Sequence, residues 1–280
     1  MSIVAPVIAS GSFLQWVGMK QAALYEAILR IIGTTGTILP IGDHRHGQPN
    51  ATTFTTVGDQ QVVFTWSEAP NAFDTKLDLT DPASFQGIVP IVAFNGTDER
   101  ASTPDAAYWS RGNGTSDSPF SLGLWVNVTD TAANRIMMTK RTTSNLEWEF
   151  YVDNNEKLYC GLWDNSVSVT AKQVSNAAIS QGTWQFFVAT YSGVGGASAH
   201  GGIVLYANGA SIASTGSTGG GYTAMEDKAG KPTIGNTEDG TAWFLGSMAG
   251  GPLGPFFVQA ELTADQIARL YQVGRRALGL

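Results

Sequence analysis

"PFSLGLWVNV", residues 119–128, decides the fold: its apolar residues Phe120, Leu122, Leu124, Val126 and Val128 recur every second position, leaving Ser121, Gly123, Trp125 and Asn127 opposite. Side chains alternate between the two faces of a strand, whereas a helix would need spacings of three and four, so this is a strand with one face committed to a core. The same pattern spreads outward. In LEWEFYVDNNEKLYCGLW (146–163) the set Leu146, Trp148, Phe150 and Val152 is followed by a polar turn and then by Leu158, Cys160 and Leu162, a hairpin facing one core. In GIVLYANGASIAS (202–214) the pair Asn208-Gly209 supplies the positive φ angles of a type I′ turn. Short β-prone runs at 87–96, 134–140, 167–174, 183–193, 231–236 and 242–248, parted by Gly, Asn, Asp and Ser, complete the series. Near the end, Thr263 and Gln266 fit a capping box, and Ile267, Leu270 and Tyr271 give the next helix one apolar side. The expectation is a mainly β protein, a two-sheet antiparallel sandwich closed by a short C-terminal helix.

Residues 1–75 read differently and are expected to form an N-terminal arm ahead of a sandwich at 76–280. The first 40 residues hold only three charges, Lys20, Glu26 and Arg30, among Phe13, Leu14, Trp16 and other apolar residues. Within them MKQAALYEAILRII (19–32) places Leu24, Ile28, Ile31 and Ile32 at helical spacing, with Gly33 as the stop. Phe13, Leu14, Trp16, Leu24, Ile28 and Ile31 therefore need a surface to lie on, either the chain's own sandwich or another subunit, since core and interface share the same physics. TTFTTVGDQQVVFTW (52–66) reads as a hairpin turning at Gly58-Asp59.

Bulk properties exclude several classes. A formal charge of −7 with only 14% charged residues gives a phosphate backbone little to bind, so no nucleic-acid partner is expected. No long unbroken apolar run exists, so no membrane span is expected, and the N-terminus lacks the basic start of a secretory leader. The single Cys160 forms no internal disulfide and falls at a core position. In GDHRHG (42–47), His44 and His46 would point to the same side of an extended segment, yet a zinc site needs about four ligands. One chain does not complete it; three copies about an axis would present enough imidazoles. The alternative is a polar loop.

The runs AFNGTDERASTPD (93–105), PFSLGLWVNV (119–128), TWQFFVATYSG with GIVLYANGASIAS (183–214), and PTIGNTEDGTAWFLGSM leading to AELTADQIARLY (232–271) resemble, in this order, the laminin-G-like branch of the concanavalin A-like lectin/glucanase jelly rolls. The resemblance implies a jelly-roll fold and one of several functions: glycan lectin, adhesion module or glucanase. Glucanases of this kind carry Glu-x-Asp-x-x-Glu on one strand; here Glu147 and Glu149 share a strand with no aspartate between them, and are expected to face solvent. No enzyme activity is therefore expected. Many such domains also bind calcium near the first strand, which would make Asp98, with Glu99, the ligand here, although GSMAGGPLGPFFV (246–258) lacks the carboxylate that usually assists. No other cofactor is implied. Trp125, Tyr159, Trp163 and Phe187 fall on the solvent-facing parity and would form a sugar-stacking platform unless covered by the arm or by a neighbour.

Three readings follow. The first is a virion structural or adhesion protein, a bacteriophage capsid decoration, fibre or tail component, docked through its arm on capsid or tail subunits and trimeric. The others are a carbohydrate-binding lectin recognising cell-surface glycans and, on fold alone, a polysaccharide hydrolase.

Overall fold

The computed structural model describes residues 10–42, 52–67 and 89–280, with side chains from Met19 onward. Helix α1 (Ser10–Ile32) opens the chain. The strands are β1 (Gly36–Ile38), β2 (Thr53–Thr55), β3 (Val57–Gly58), β4 (Val63–Trp66), β5 (Ile91–Asn95), β6 (Ala101–Ser102), β7 (Phe120–Val128), β8 (Arg135–Arg141) and β9 (Leu146–Val152). They continue with β10 (Leu158–Asp164), β11 (Val169–Ser175), β12 (Trp184–Tyr191), β13 (Ile203–Ala207), β14 (Ala210–Ser211), β15 (Ser214–Thr218), β16 (Pro232–Ile234), β17 (Leu245–Ala249) and β18 (Phe256–Val258), and helix α2 (Ala264–Leu278) follows.

Two antiparallel sheets face each other. The first runs β14-β13-β12-β7-β18-β1-β3, with β17 joining β5 to β7; the second runs β15-β11-β10-β9-β8-β16-β6-β4-β2. The sandwich, with its helices at both ends of the chain, is the mainly β architecture that the alternation demanded, and β7 shows why. Phe120, Leu122, Leu124, Val126 and Val128 all enter the core between the sheets, where they meet Trp148, Phe150, Val152, Leu158, Cys160 and Leu162 from the second sheet. Aromatic rings lock the two layers: Phe257 of β18 lies 5.6 Å from Phe120 and 5.4 Å from Trp148. Asn208 and Gly209 have φ of 52° and 84°, the two positive values of a type I′ turn, and link β13 to β14.

A second apolar layer covers the outer face of the first sheet. Ile28 and Ile32 of α1 and Ile267, Leu270 and Leu278 of α2 pack against Trp125, Phe186, Val188 and Phe256, which have the opposite parity to the core residues on their strands. The capping box of α2 is formed, with Thr263 Oγ1 accepting from Gln266 N–H and the Gln266 side chain accepting from Thr263 N–H. Gly279 closes the helix in the left-handed conformation.

The N-terminal third departs from the sequence reading in two ways. The helix is 23 residues long and begins at Ser10, not at Met19; Gly11 and Ser12 are weak helix formers, but such residues are tolerated in a first turn. The hairpin over 52–66 forms, with Phe54 opposite Phe64, yet it lies at the edge of the second sheet, while β1 is inserted between β18 and β3 of the first. Residues 36–66 thus contribute strands to both sheets. The boundary expected near residue 75 lies outside the described residues. No helix among the described residues is long and apolar enough to cross a membrane.

Candidate functional site

With both helices on the first sheet, the outer face of the second sheet is the one that no described helix covers. Its centre is set by register. Gly161 of β10 stands between Glu149 of β9 and Lys172 of β11, while Tyr159 stands between Tyr151 and Val174. Leu158, Cys160 and Leu162 point into the core, so Tyr159, Gly161 and Trp163 point out. A Cβ at Gly161 would sit 2.7 Å from the ring of Tyr159, so glycine is what lets that ring lie along the strand.

The aromatic side chains are held by partners from neighbouring strands. Tyr151 and Tyr159 stack at 4.3 Å between ring centroids with 27° between planes, and the Lys172 ammonium lies 5.8 Å from the Tyr159 centroid. At the other end the Arg141 guanidinium lies 5.6 Å from the Trp163 centroid and donates through Nη1 to Glu149 Oε2. Burial raises the pKa of both tyrosines, with Glu149 adding to the effect, so their hydroxyls stay protonated. Trp163 Nε1 and Arg141 Nε are buried and have no acceptor among the described residues. The face therefore presents the partly exposed rings of Tyr151 and Trp163 beside a buried Arg141–Glu149 pair.

Of the four aromatics expected to share a platform, the structure brings together only Tyr159 and Trp163. Trp125 is 2% exposed beneath α2, stacked on Tyr271 at 5.5 Å, and Phe187 is wholly buried in the core between the sheets. The parity assigned to Trp125 was right but its face is roofed by the chain's own helices. Phe187 has the inward parity of Ala189 and Tyr191. Tyr151, Arg141, Glu149 and Lys172 were missing from the expected platform. Tyr151 could have been found by folding YVDNNEKLY (151–159) into its hairpin, which sets Tyr151 opposite Tyr159.

The two glutamates do not face solvent as expected. Glu149 is 2% exposed in its pair with Arg141. Glu147 is wholly buried, because the pairing steps from Lys140 opposite Trp148 to Arg141 opposite Leu146 and leaves Glu147 as the extra residue of a β-bulge. Its Oε1 accepts from Lys140 Nζ and, at 2.9 Å, from the backbone N–H of Lys228, while Lys140 also pairs with Asp105 at 2.9 Å. Burial outweighs the attraction of Lys140 and pushes Glu147 up to about 7. These carboxylates serve separate ion pairs and share no cleft.

At the expected calcium position, Asp98 Oδ1 accepts from the Asn95 amide at 2.7 Å, and Glu99 Oε2 accepts from Asn95 N–H. No group of three or more His, Cys, Asp or Glu side chains is placed to hold a metal among the described residues. His44 and His46 lie outside the described residues, as do the side chains of Phe13, Leu14 and Trp16. Leu24, Ile28 and Ile31 pack on the chain's own second apolar layer, so this part of the arm docks on its own sandwich. Burial also raises the Cys160 thiol, which sits in the core as a small apolar group.

Two antiparallel sheets with helices packed on one outer face define a jelly-roll sandwich. The chain belongs to the concanavalin A-like lectin/glucanases superfamily, whose laminin G model matches residues 95–250, more than half of its length. Among solved structures it is similar to a mutant of Trypanosoma rangeli sialidase displaying trans-sialidase activity, with TM-score 0.53, 12% identity, and coverage of 95% of this chain and 40% of that one. It is also similar to the botulinum neurotoxin serotype G binding domain, with TM-score 0.51, 11% identity and coverage of 86% and 51%. For the serotype D binding domain the values are 0.51, 10%, 88% and 52%. At such identities these likenesses speak to the fold, and the chain spans about half or less of each protein's length. No curated sequence matches it.

Proposed function

We propose that the chain is a non-enzymatic adhesion module that recognises a carbohydrate on the outer face of its second sheet. The observation that carries this reading is the contrast in cover. Both helices pack on the first sheet, leaving Tyr151 and Trp163 as partly exposed rings on the second beside the buried Tyr159, with Lys172 and Arg141 against the rings of Tyr159 and Trp163. Sugar rings present apolar C–H faces that stack on such surfaces, with hydroxyls left for polar neighbours. A glycan array should give hits that vanish in Trp163→Ala. An array without hits at high protein concentration would sink the reading. The engagement of Glu149 with Arg141 and of Glu147 with Lys140 favours binding over hydrolysis, so any β-glucan hydrolysis lost in Glu149→Gln would reverse the non-enzymatic part.

A second reading concerns where the module is displayed. The first 40 residues carry three charges, and α1 begins nine residues before Met19 with a stretch containing Phe13, Leu14 and Trp16. This favours docking on another protein, and the display site we propose is a bacteriophage particle surface, as a capsid decoration, fibre or tail component, with three copies about an axis. Replacing Phe13, Leu14 and Trp16 with serine should release the protein from particles without changing glycan binding. Unchanged particle association would remove the docking role, and a monomer in sedimentation would remove the trimer.

A further inference from the structure

We infer that Lys140 and Asp105 become joined by an internal amide, formed when Lys140 Nζ attacks the Asp105 carboxyl carbon with Glu147 carrying the proton. None of the three belongs to the aromatic face proposed to bind sugar. Lys140 Nζ lies 2.9 Å from Asp105 Oδ1, and it donates to Glu147 Oε1 and, at 2.5 Å, to the backbone carbonyl of Lys228.

Register brings the lysine to this place. Lys140 of β8 stands opposite Trp148 of β9, and directly opposite side chains share a face, so its stem runs on the core side of the second sheet. Lys140 and Glu147 are wholly buried, whereas the Asp105 side chain is 30% exposed. That contrast assigns the roles. Attack needs the free amine, so one ammonium proton must pass to a base in contact with Nζ. Glu147 touches it, and burial raises this carboxyl to about 7, where it both takes and gives a proton near neutrality. Its Oε2 is buried without a partner among the described residues, which leaves one oxygen free to hold that proton. Glu147 Oε1 is further fixed by the Lys228 N–H at 2.9 Å and by Ser110 Oγ at 3.4 Å, and water expelled from it would have no exit. Asp105 opens to solvent, so water released there escapes and the reverse reaction loses its reactant.

The step balances within the chain. The Asp105 Cγ–Nζ bond forms and one Cγ–O bond breaks. Lys140 starts as an ammonium with three protons and ends as an amide with one; the other two leave with the Asp105 oxygen as water. Glu147 takes one of these from Nζ, delivers it to that oxygen and returns to its starting state. No oxidant or co-reactant is required. Folding holds amine and carboxyl in contact, and fixed pairs of this kind reach effective concentrations of about 10⁵ M or more, enough to drive an amide that would not form between free molecules. The product also removes an ammonium from a dry site, where a charge is costly to keep. It ties the segment after β6 covalently to β8.

Intact mass spectrometry of the denatured full chain should show a main species lighter than the sequence mass by one water molecule. Trypsin should then release a joined peptide of residues 101–111 and 136–141, because an acylated Lys140 is no longer cleaved. Asp105→Ala, at a partly exposed position, should restore the full mass with the fold retained. Glu147→Gln should slow joining by about a hundredfold or more, the usual scale for a lost proton carrier, and leave mostly full-mass chain. Full mass in the wild-type chain overturns the inference, whatever the variants do. So does water loss without the joined peptide, the mark of an imide at Asp239-Gly240, or a peptide that joins Lys140 to Glu147 instead. Joining in Glu147→Gln as rapid as in the wild type overturns the role given to Glu147.

Discussion

Trp125 and Trp163 both point away from the core between the sheets, Trp125 from β7 of the first sheet and Trp163 from β10 of the second. Trp125 is 2% exposed, clamped between Phe186 and Tyr271 with ring centroids at 5.2 and 5.5 Å, whereas Trp163 is half-buried with the Arg141 guanidinium against its ring. The difference comes from the chain termini: α1 and α2 lie on the first sheet and convert its outer face into a second core. The same residue type at the same parity therefore does structural work on one face and remains available for binding on the other. Strand alternation tells which residues share a side; only tertiary packing tells what lies against that side.

The largest effect should come from breaking the covered face. Trp125→Ala removes a fully packed indole, and losses for such truncations run to about 3–5 kcal/mol. Chemical denaturation should show a drop of that size with saccharide affinity retained at temperatures where the variant is folded. A loss under about 1 kcal/mol would mean that the helices do not rely on this contact.

The next effect concerns Glu147, buried at one end of the second sheet. Its folded pKa, raised to about 7 by burial, lies above the ordinary carboxylate value, so the folded state holds its proton more firmly than the unfolded chain. This contribution to stability is fully present below the unfolded pKa and is lost as pH rises through about 7. Unfolding free energy should therefore fall between about pH 5 and 7, by on the order of 3 kcal/mol at most. In Glu147→Gln that slope should disappear. Parallel pH profiles for the two proteins would show that Lys140 holds Glu147 ionised throughout.

A smaller perturbation tests the roof itself. Gly274 of α2 faces Trp125 so closely that a Cβ would lie 2.2 Å from the indole nitrogen. Gly274→Val should lift α2 and cost about 1–3 kcal/mol, the usual range for overpacking. A crystal structure with α2 unmoved and stability unchanged would refute this account of the glycine.

Much of the architecture was legible because it is local. The alternation in β7, the 146–163 hairpin, the Asn208-Gly209 turn and the Thr263–Gln266 box all depend on neighbours within a few residues, and all four formed. What was not legible is pairing at long range. Gly36 pairs with Val258, more than two hundred residues away, and no local pattern announces that β1 will enter the first sheet while β2 and β4 edge the second. The site was legible in half. Tyr159 and Trp163 followed from parity, but Arg141 and Lys172 come from flanking strands whose register had to be known. Glu147 and Glu149 were separated by a bulge, which breaks the period on which the sequence reading rested.

The smallest effect is the most telling. Trp163→Ala deletes the same side chain as Trp125→Ala, but what it removes is a partly exposed ring and one cation–π contact, so the expected cost is only about 1 kcal/mol. Its Nε1 has no acceptor, so no hydrogen bond is lost and one unsatisfied donor is relieved. Binding should move in the opposite order, collapsing for Trp163→Ala and surviving in Trp125→Ala. A stability loss for Trp163→Ala as large as that for Trp125→Ala would make Trp163 a structural residue. The outer face of the second sheet would then be a third core layer rather than a surface for ligands.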